Sequence, residues 1–248
     1  ISTRPTGGEW SPLEVIVGGP GRQEVVEAVV VGGAVVAAGN DVGRDQSTGR
    51  QSSTAYVLVQ GADGFSRIDL GVSADAETLS VCALGPTQAL VLGVDWAGGR
   101  GFSAIVDVPT ATHEIVDQQI EPAGAVPTRC VAAQGGALVE VSTGAGIALF
   151  QTRDGRSYGP LDVLSAGDSV HRTRGSAHGV AIVGVTGAAE EDAFVLFGPN
   201  LQSLQRIELD TFVGAGEQQI YDIVITEDRL FAVGLINQSP VVWPINYS

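Results

Sequence analysis

The chain has no lysine and no methionine: all 13 of its basic residues are arginine, set against 28 acidic ones. The formal charge of −15 repels nucleic acid and anionic lipid alike, so neither is expected as a main partner. Cysteine is reduced to Cys82 and Cys130, too few for a four-thiolate zinc site or a multiply stapled scaffold. The three histidines (113, 171 and 178) have no metal-ligand spacing. No run approaches the ~20 apolar residues of a membrane helix. No stretch carries sustained helical periodicity, so almost no helix is expected. A secretory signal is not legible; the opening ISTRPTGG, without an initiator methionine, reads as a linker stub left by processing. Arginine-only basic usage beside abundant Ala, Gly and Val reads as a high-GC bacterial genome.

What is abundant is glycine, 34 residues, within a chain that is 44% hydrophobic. The organising stretch is Val131–Val141, VAAQGGALVEV: a strand, a Gly-Gly turn and a second strand. Counterparts stand at 29–39, 82–93, 176–185 and 225–234. With Val35, Leu90, Leu138, Ile182 and Phe231 aligned, the spacings are 55, 48, 44 and 49 residues. Five all-β units at such a period predict a five-bladed β-propeller in a single domain spanning 1–248. The blades fall at about 25–72, 79–121, 127–165, 170–210 and 218–248. The last has three strands, and the strand at 9–17 is expected to complete it, closing the ring and covering its edge. The first two strands of each blade run almost continuously apolar, as strands covered on both faces do.

Two turns between third and fourth strands share Asp-Gly-x-Ser: Asp63, Gly64 and Ser66 in QGADGFSRIDL, and Asp154, Gly155 and Ser157 in QTRDGRSYGPL. The N-terminal PTGGEWSPL sets Trp10 after Gly-Gly in the same place. These turns resemble degenerate Asp-box, or BNR, turns of sialidase-like propellers. The resemblance implies a propeller fold and a structural role: the aspartate bonds backbone N–H groups, glycine takes positive φ and an aromatic packs beneath. It implies no activity. The turn is one residue short of the usual pattern, and the second and fourth repeats lack it.

In a propeller the loops between second and third strands share one face with the starts of the first strands. That face is expected to hold the 40–54 loop (Asn40, Asp41, Arg44, Asp45, Arg50), the loop of Asp95, Trp96 and Arg100, and the acidic Glu190, Glu191 and Asp192. Alignment places Glu27, Cys82, Cys130, Arg174 and Ile223 in one ring around the channel. Val26, Val81, Arg129, Thr173 and Asp222 form the next, with Val25, Ser80, Thr128, Arg172 and Tyr221 outside it. Glu27, Arg129, Arg172, Arg174, Tyr221 and Asp222 are the candidate ligand groups there. The competing reading is that Arg–Asp and Arg–Glu pairs neutralise one another and plug the channel.

Export favours a disulfide between Cys82 and Cys130. Repeat-equivalent side chains point in the same sense around the ring, which favours two buried thiols; both readings stand at this stage. No cofactor or metal is called for, and Ca²⁺ on the acidic loops has only weak support. The expected role is a non-catalytic recognition module, exported to the periplasm, cell wall or extracellular space, that binds an envelope protein. Alternatives are a lectin-like, carbohydrate-binding propeller, with Trp96 as platform, and a glycoside hydrolase using Glu27 and Asp222.

Overall fold

The computed structural model describes residues 22–44, 51–116, 124–187, 192–209 and 218–247. They form five antiparallel sheets in chain order, four of four strands and one of three. The first holds β1 (Arg22–Val31), β2 (Ala34–Arg44), β3 (Gln51–Gly61) and β4 (Gly64–Asp69). The second holds β5 (Ala76–Ala83), β6 (Gln88–Asp95), β7 (Arg100–Asp107) and β8 (Thr112–Val116). The third holds β9 (Val126–Ala133), β10 (Gly136–Thr143), β11 (Gly146–Thr152) and the two-residue β12 (Gly159–Pro160). The fourth holds β13 (Asp168–Ser176), β14 (Gly179–Thr186), β15 (Asp192–Gly198) and β16 (Gln205–Glu208). The fifth holds β17 (Gln218–Ile225), β18 (Arg229–Ile236) and β19 (Ser239–Asn246). Among the described residues the one helical element is a short 3-10 turn, Leu201–Ser203, capped by the Asn200 side chain. The expected strand at 9–17 and Trp10 lie outside the described residues.

Successive sheets are joined by apolar packing, and the period of two along each strand decides which neighbour a residue meets. In the second sheet Ala89 and Val91 pack toward the first, while Leu90 and Leu92 pack toward the third. In the third sheet Ala137, Val139 and Val141 face back, and Leu138 faces the fourth. In the fourth sheet Val180 and Ile182 face back, and Ala181 and Val183 face Leu230, Ala232 and Trp243 of the fifth. Both faces being covered, β6, β10 and β14 are buried along most of their length. Each fully buried Val, Leu or Ile stabilises such a junction by roughly 1.5–3 kcal/mol.

The two end sheets depart from the expectation of inner strands covered on both sides. Val25, Val26 and Val30 on β1 and Val224, Val233 and Val242 on the fifth sheet are exposed. The outer face of the first sheet is partly self-covered: Tyr56 and Leu58 are buried with Ala37 against Phe65, with Arg67 stacked over the Tyr56 ring. The long loop expected at 40–54 is also corrected. The β2–β3 ladder runs on through Asn40↔Ala55 to Arg44↔Gln51, which leaves only 45–50 outside the described residues. Asn40 and Asp41 are buried strand residues. The Asn40 side chain bonds Thr78 N and O in the next sheet, and a polar sequence that clasps a neighbour resembles a loop.

One backbone feature recurs in all five sheets. The first strand carries a register shift where one residue is skipped: Val26, Leu79, Thr128, His171 and Tyr221. Such bulges raise local twist and re-aim the following side chain. Opposite the residue before the bulge, the second strand has Gly39, Gly93, Val141, Gly184 and Gly234. At Gly93 a Cβ would come within 2.3 Å of both Glu77 O and the Phe102 ring. At Gly39 it would meet Glu24 O and the Tyr56 ring, and at Gly184 Ser169 O. Glycine is needed here because carbonyl and ring occupy the space of a side chain. We expect Gly93→Ala to destabilise the fold by about 1–3 kcal/mol in urea titrations. Gly144→Ala, where the added atom meets nothing within 4 Å, should leave the midpoint unchanged.

The bulges also resolve the cysteines. Counted from them, Cys82 stands three residues on and Cys130 two. The two positions are therefore not equivalent, and the one-residue offset turns both side chains into the junction between the second and third sheets. They form a disulfide with Cα atoms 5.7 Å apart, within the range such a bond requires. It closes a separation of 48 residues, a loop for which chain entropy gives about 4 kcal/mol. Reduction, or Cys82→Ser with Cys130→Ser, should lower unfolding free energy by roughly 2–4 kcal/mol in paired urea titrations with and without reductant.

Candidate functional site

The residue directly after each bulge is Glu27, Ser80, Arg129, Arg172 or Asp222. All five are polar and share one level of the first strands. This ring differs from the one expected by aligning apolar residues. The marker glycine position lies four residues after Val35, three after Leu90, Leu138 and Phe231, and two after Ile182. Strands buried on both faces carry apolar residues in both phases, so apolarity does not fix the phase. The glycine marks it in four of the five sheets, where a neighbouring carbonyl occupies the space of a side chain; in the third sheet Val141 stands there instead.

Polar clasps run from each sheet to the next at this level. Glu27 Oε2 accepts from the Ser80 hydroxyl at 2.5 Å and from Val81 N at 3.1 Å. Ser80 Oγ in turn accepts from Cys130 N at 3.0 Å. Buried Glu140 on β10 accepts from the Thr173 hydroxyl at 2.6 Å, and Arg129 Nε lies 3.9 Å from its other oxygen. Arg174 grips Asp222 in a two-point pair at 2.8 and 2.7 Å, with Arg172 Nε 3.8 Å from the same carboxylate. His171, the bulged residue of β13, bonds Ile220 O through Nδ1 at 2.9 Å. The first strands of four sheets converge on a small cavity of about 170 Å³, whose lining includes Glu27, Arg129, Thr173 and Arg174. Cys82 and Cys130 lie in its wall.

The structure therefore gathers Glu27, Arg129, Arg172, Arg174 and Asp222, and sets other candidates apart. Tyr221 is bulged, exposed and bonded to Gln219. Asp95 is buried and braces its own turn, accepting from the Ser73 hydroxyl at 2.7 Å and Gly98 N at 3.1 Å, with Arg100 Nε 3.9 Å away. Trp96 at the tip of that turn is 55% exposed, and its indole donates to Glu77. Asp45, Arg50, Glu190 and Glu191 lie outside the described residues, and Asp192 opens β15. No group of three potential metal ligands occurs among the described residues. Sequence alignment missed Ser80 and Glu140 as members of the clasp chain. Distance to the marker position does not find Ser80 either: it stands thirteen residues before Gly93, whereas Glu27, Arg129, Arg172 and Asp222 stand twelve before Gly39, Val141, Gly184 and Gly234.

The two Asp-Gly turns differ. Asp154 accepts from Arg156 N at 2.8 Å and Ser157 N at 2.9 Å. Gly155 takes φ +69, and Tyr158 packs beneath, its hydroxyl pushed up to about 12 by burial. In the first sheet Ala62 and Asp63 form a two-residue hairpin tip between Gly61 and Gly64, with Asp63 exposed and Gly64 at φ +116.

Several carboxyls sit below their ordinary value of 3.8: Asp222 chiefly through the Arg174 pair, Asp95 through Ser73 and Asp154 through Ser157 N. At Asp168 burial pushes upward, but bonds from Arg206, Thr186 and Ser165 N outweigh it and the net shift is downward. Asp222, held ionised, is poorly suited to protonate a leaving group, which counts against its acting as a glycosidase acid. Carboxyls lowered in the fold add stability above their unfolded value and lose it as pH falls through their folded ones. The urea midpoint should therefore hold from neutrality to about pH 5 and fall below about pH 4. Asp168 is closed off from solvent beneath Arg206. Asp168→Asn should cost about 3 kcal/mol at neutral pH and leave a shallower acid limb.

No family model matches the chain, and no curated protein matches it. Solved structures do. Puromycin hydrolase aligns over 98% of this chain and 39% of its own, with a TM-score of 0.63 at 12% identity. Prolyl oligopeptidase B from Galerina marginata aligns over 90% of this chain and 34% of its own, with 0.57 at 13%. A puromycin-hydrolyzing peptidase from Mycobacterium tuberculosis covers 90% and 35%, with 0.53 at 10%. The chain spans about two fifths of the first of these and about a third of the other two. The neighbours are β-propeller domains of peptidases, and at this identity the likeness is one of fold: this is an all-β, propeller-type chain.

Proposed function

We propose that the chain is a recognition module on a β-propeller scaffold. Its five sheets serve as five blades, and it binds a protein partner through the outer face of the fifth sheet. The supporting observation is the grouping of large apolar side chains there. Asp222, Val233 and Val242 are cross-strand neighbours, as are Val224, Phe231 and Pro244. Val224 is 58% exposed and Val242 56%. A contiguous apolar patch rimmed by polar groups is the usual mark of an interaction surface. A scaffold of packed sheets presents it without an ordering cost. A disulfide between sheets suits an oxidising compartment, in line with a place in the envelope or outside the cell. The peptidase chemistry of the neighbours is no part of the proposal, because the matched portion is their propeller domain.

The test is purification of the native protein from its source envelope in mild detergent, with mass spectrometry of what accompanies it. A stoichiometric protein companion is expected, lost on Val242→Asp while the thermal melt stays unchanged. A chain that purifies alone, or a companion retained by the folded variant, would overturn the reading.

A further inference from the structure

Three members of the ring that follows the bulges keep open hydrogen-bonding groups among the described residues: Arg172, whose buried Nε has no hydrogen-bond partner, and Glu27 and Arg129, which meet in one cavity. Ser80 both donates and accepts. Asp222 is held by Arg174, by Arg172 and by Ile223 N. Glu27, in contrast, takes both of its hydrogen bonds on Oε2, leaving Oε1 without a hydrogen bond among the described residues. Arg129 reaches Glu140 only through Nε at 3.9 Å, beyond hydrogen-bond distance, so its five N–H donors are likewise unmatched among the described residues. Glu27 comes from the first sheet and Arg129 from the third, and both line the same cavity of about 170 Å³.

We propose that this cavity binds a free α-amino acid as its zwitterion, the ammonium at Glu27 and the carboxylate at Arg129. The charge balance selects this class. Glu27, Glu140 and Asp222 offset Arg129, Arg172 and Arg174, so the neighbourhood has no net sign to hold a simple anion or cation. A molecule carrying both signs satisfies both open groups and leaves that balance intact. The protein's charge of −15 acts against the accumulation of free anions and is indifferent to a zwitterion. Size points the same way. The volume equals that of about five or six waters, suited to an amino acid of six to nine heavy atoms. Val29, Val81 and Val131 supply apolar wall for its side chain. Guanidinium recognises carboxylate by paired N–H donors. This site rests on residues separate from the fifth-sheet patch and stands independently of it.

Calorimetric titration of the oxidised full chain with L-alanine, L-leucine, propionate and ethylamine tests the inference. The last two are alanine without its ammonium and without its carboxylate. One or both amino acids should bind, each at least about tenfold tighter than either half-molecule, a difference of 1.4 kcal/mol. Glu27→Gln, which keeps an oxygen for Ser80 and Val81 N, should bring an amino acid down to the affinity of propionate. Arg129→Gln should bring it down to that of ethylamine. These charge-specific losses are not what a merely structural role would produce. The proposal is overturned if neither amino acid binds the wild-type chain at millimolar concentration. It is equally overturned if propionate binds as tightly as alanine, which would mark a simple anion site at Arg129.

Discussion

Apolar packing between the faces of consecutive sheets is the interaction on which everything else in this chain depends. A sheet of three or four short strands has two faces and is not stable with both in water. Here the second, third and fourth sheets bury both, through layers such as Leu90 against Cys130 and Leu138 against Val180. Stacking of this kind is quasi-one-dimensional: each sheet depends on its neighbours in the chain. Its consequence is visible at the ends, where no further sheet packs on the outermost faces among the described residues. Tyr56 and Leu58 are sheltered by Arg67 and Phe65, but Val224 and Val242 are open to solvent.

That packing brings the first strands of the sheets close together, and the bulges make the approach possible. Each bulge adds twist just where a strand nears its counterparts, and in four of the five sheets a glycine on the second strand lets a carbonyl approach closely. The residue after the bulge is aimed at the next sheet in the case of Glu27, Ser80 and Arg172, at its own sheet in that of Arg129 and back at the preceding one in that of Asp222, and so the polar ring forms. Its members do two jobs. Ser80, Glu140, Arg174 and Asp222 satisfy one another across junctions and tie sheet to sheet. Glu27 shares in the tying through one oxygen, and Arg129 faces Glu140 within its own sheet at 3.9 Å; both retain hydrogen-bonding capacity unused among the described residues. A polar network that leaves one acidic and one basic group open in the same cavity suits a small ligand carrying both charges.

Particular residues show how much of this was legible. The glycine-punctuated apolar repeats are enough to read a propeller-type, all-β chain with strands in the order found. Reading the rings correctly was not possible from apolar residues alone. Leu90 and Ile182 look equivalent, yet lie three and two residues before their glycines. One residue of slip sends a side chain to the other face, which is why Cys82 and Cys130 looked parallel in sense when they in fact face each other. Asn40 and Asp41 read as loop because they are polar, whereas Asn40 clasps buried Thr78 and Asp41 faces Arg67 at 3.6 Å.

By itself, then, the sequence determined the architecture: period, strand order and near-absence of helix follow from local residue chemistry that repeats along the chain. It also determined the surface charge and, through its two cysteines, the scope for one cross-link. Only the tertiary structure decided which charged residues meet. Whether Arg129 and Glu27 share a cavity depends on the register of strands about a hundred residues apart in sequence. That register is set by steric contacts at bulges and glycines rather than by any preference of the two residues themselves.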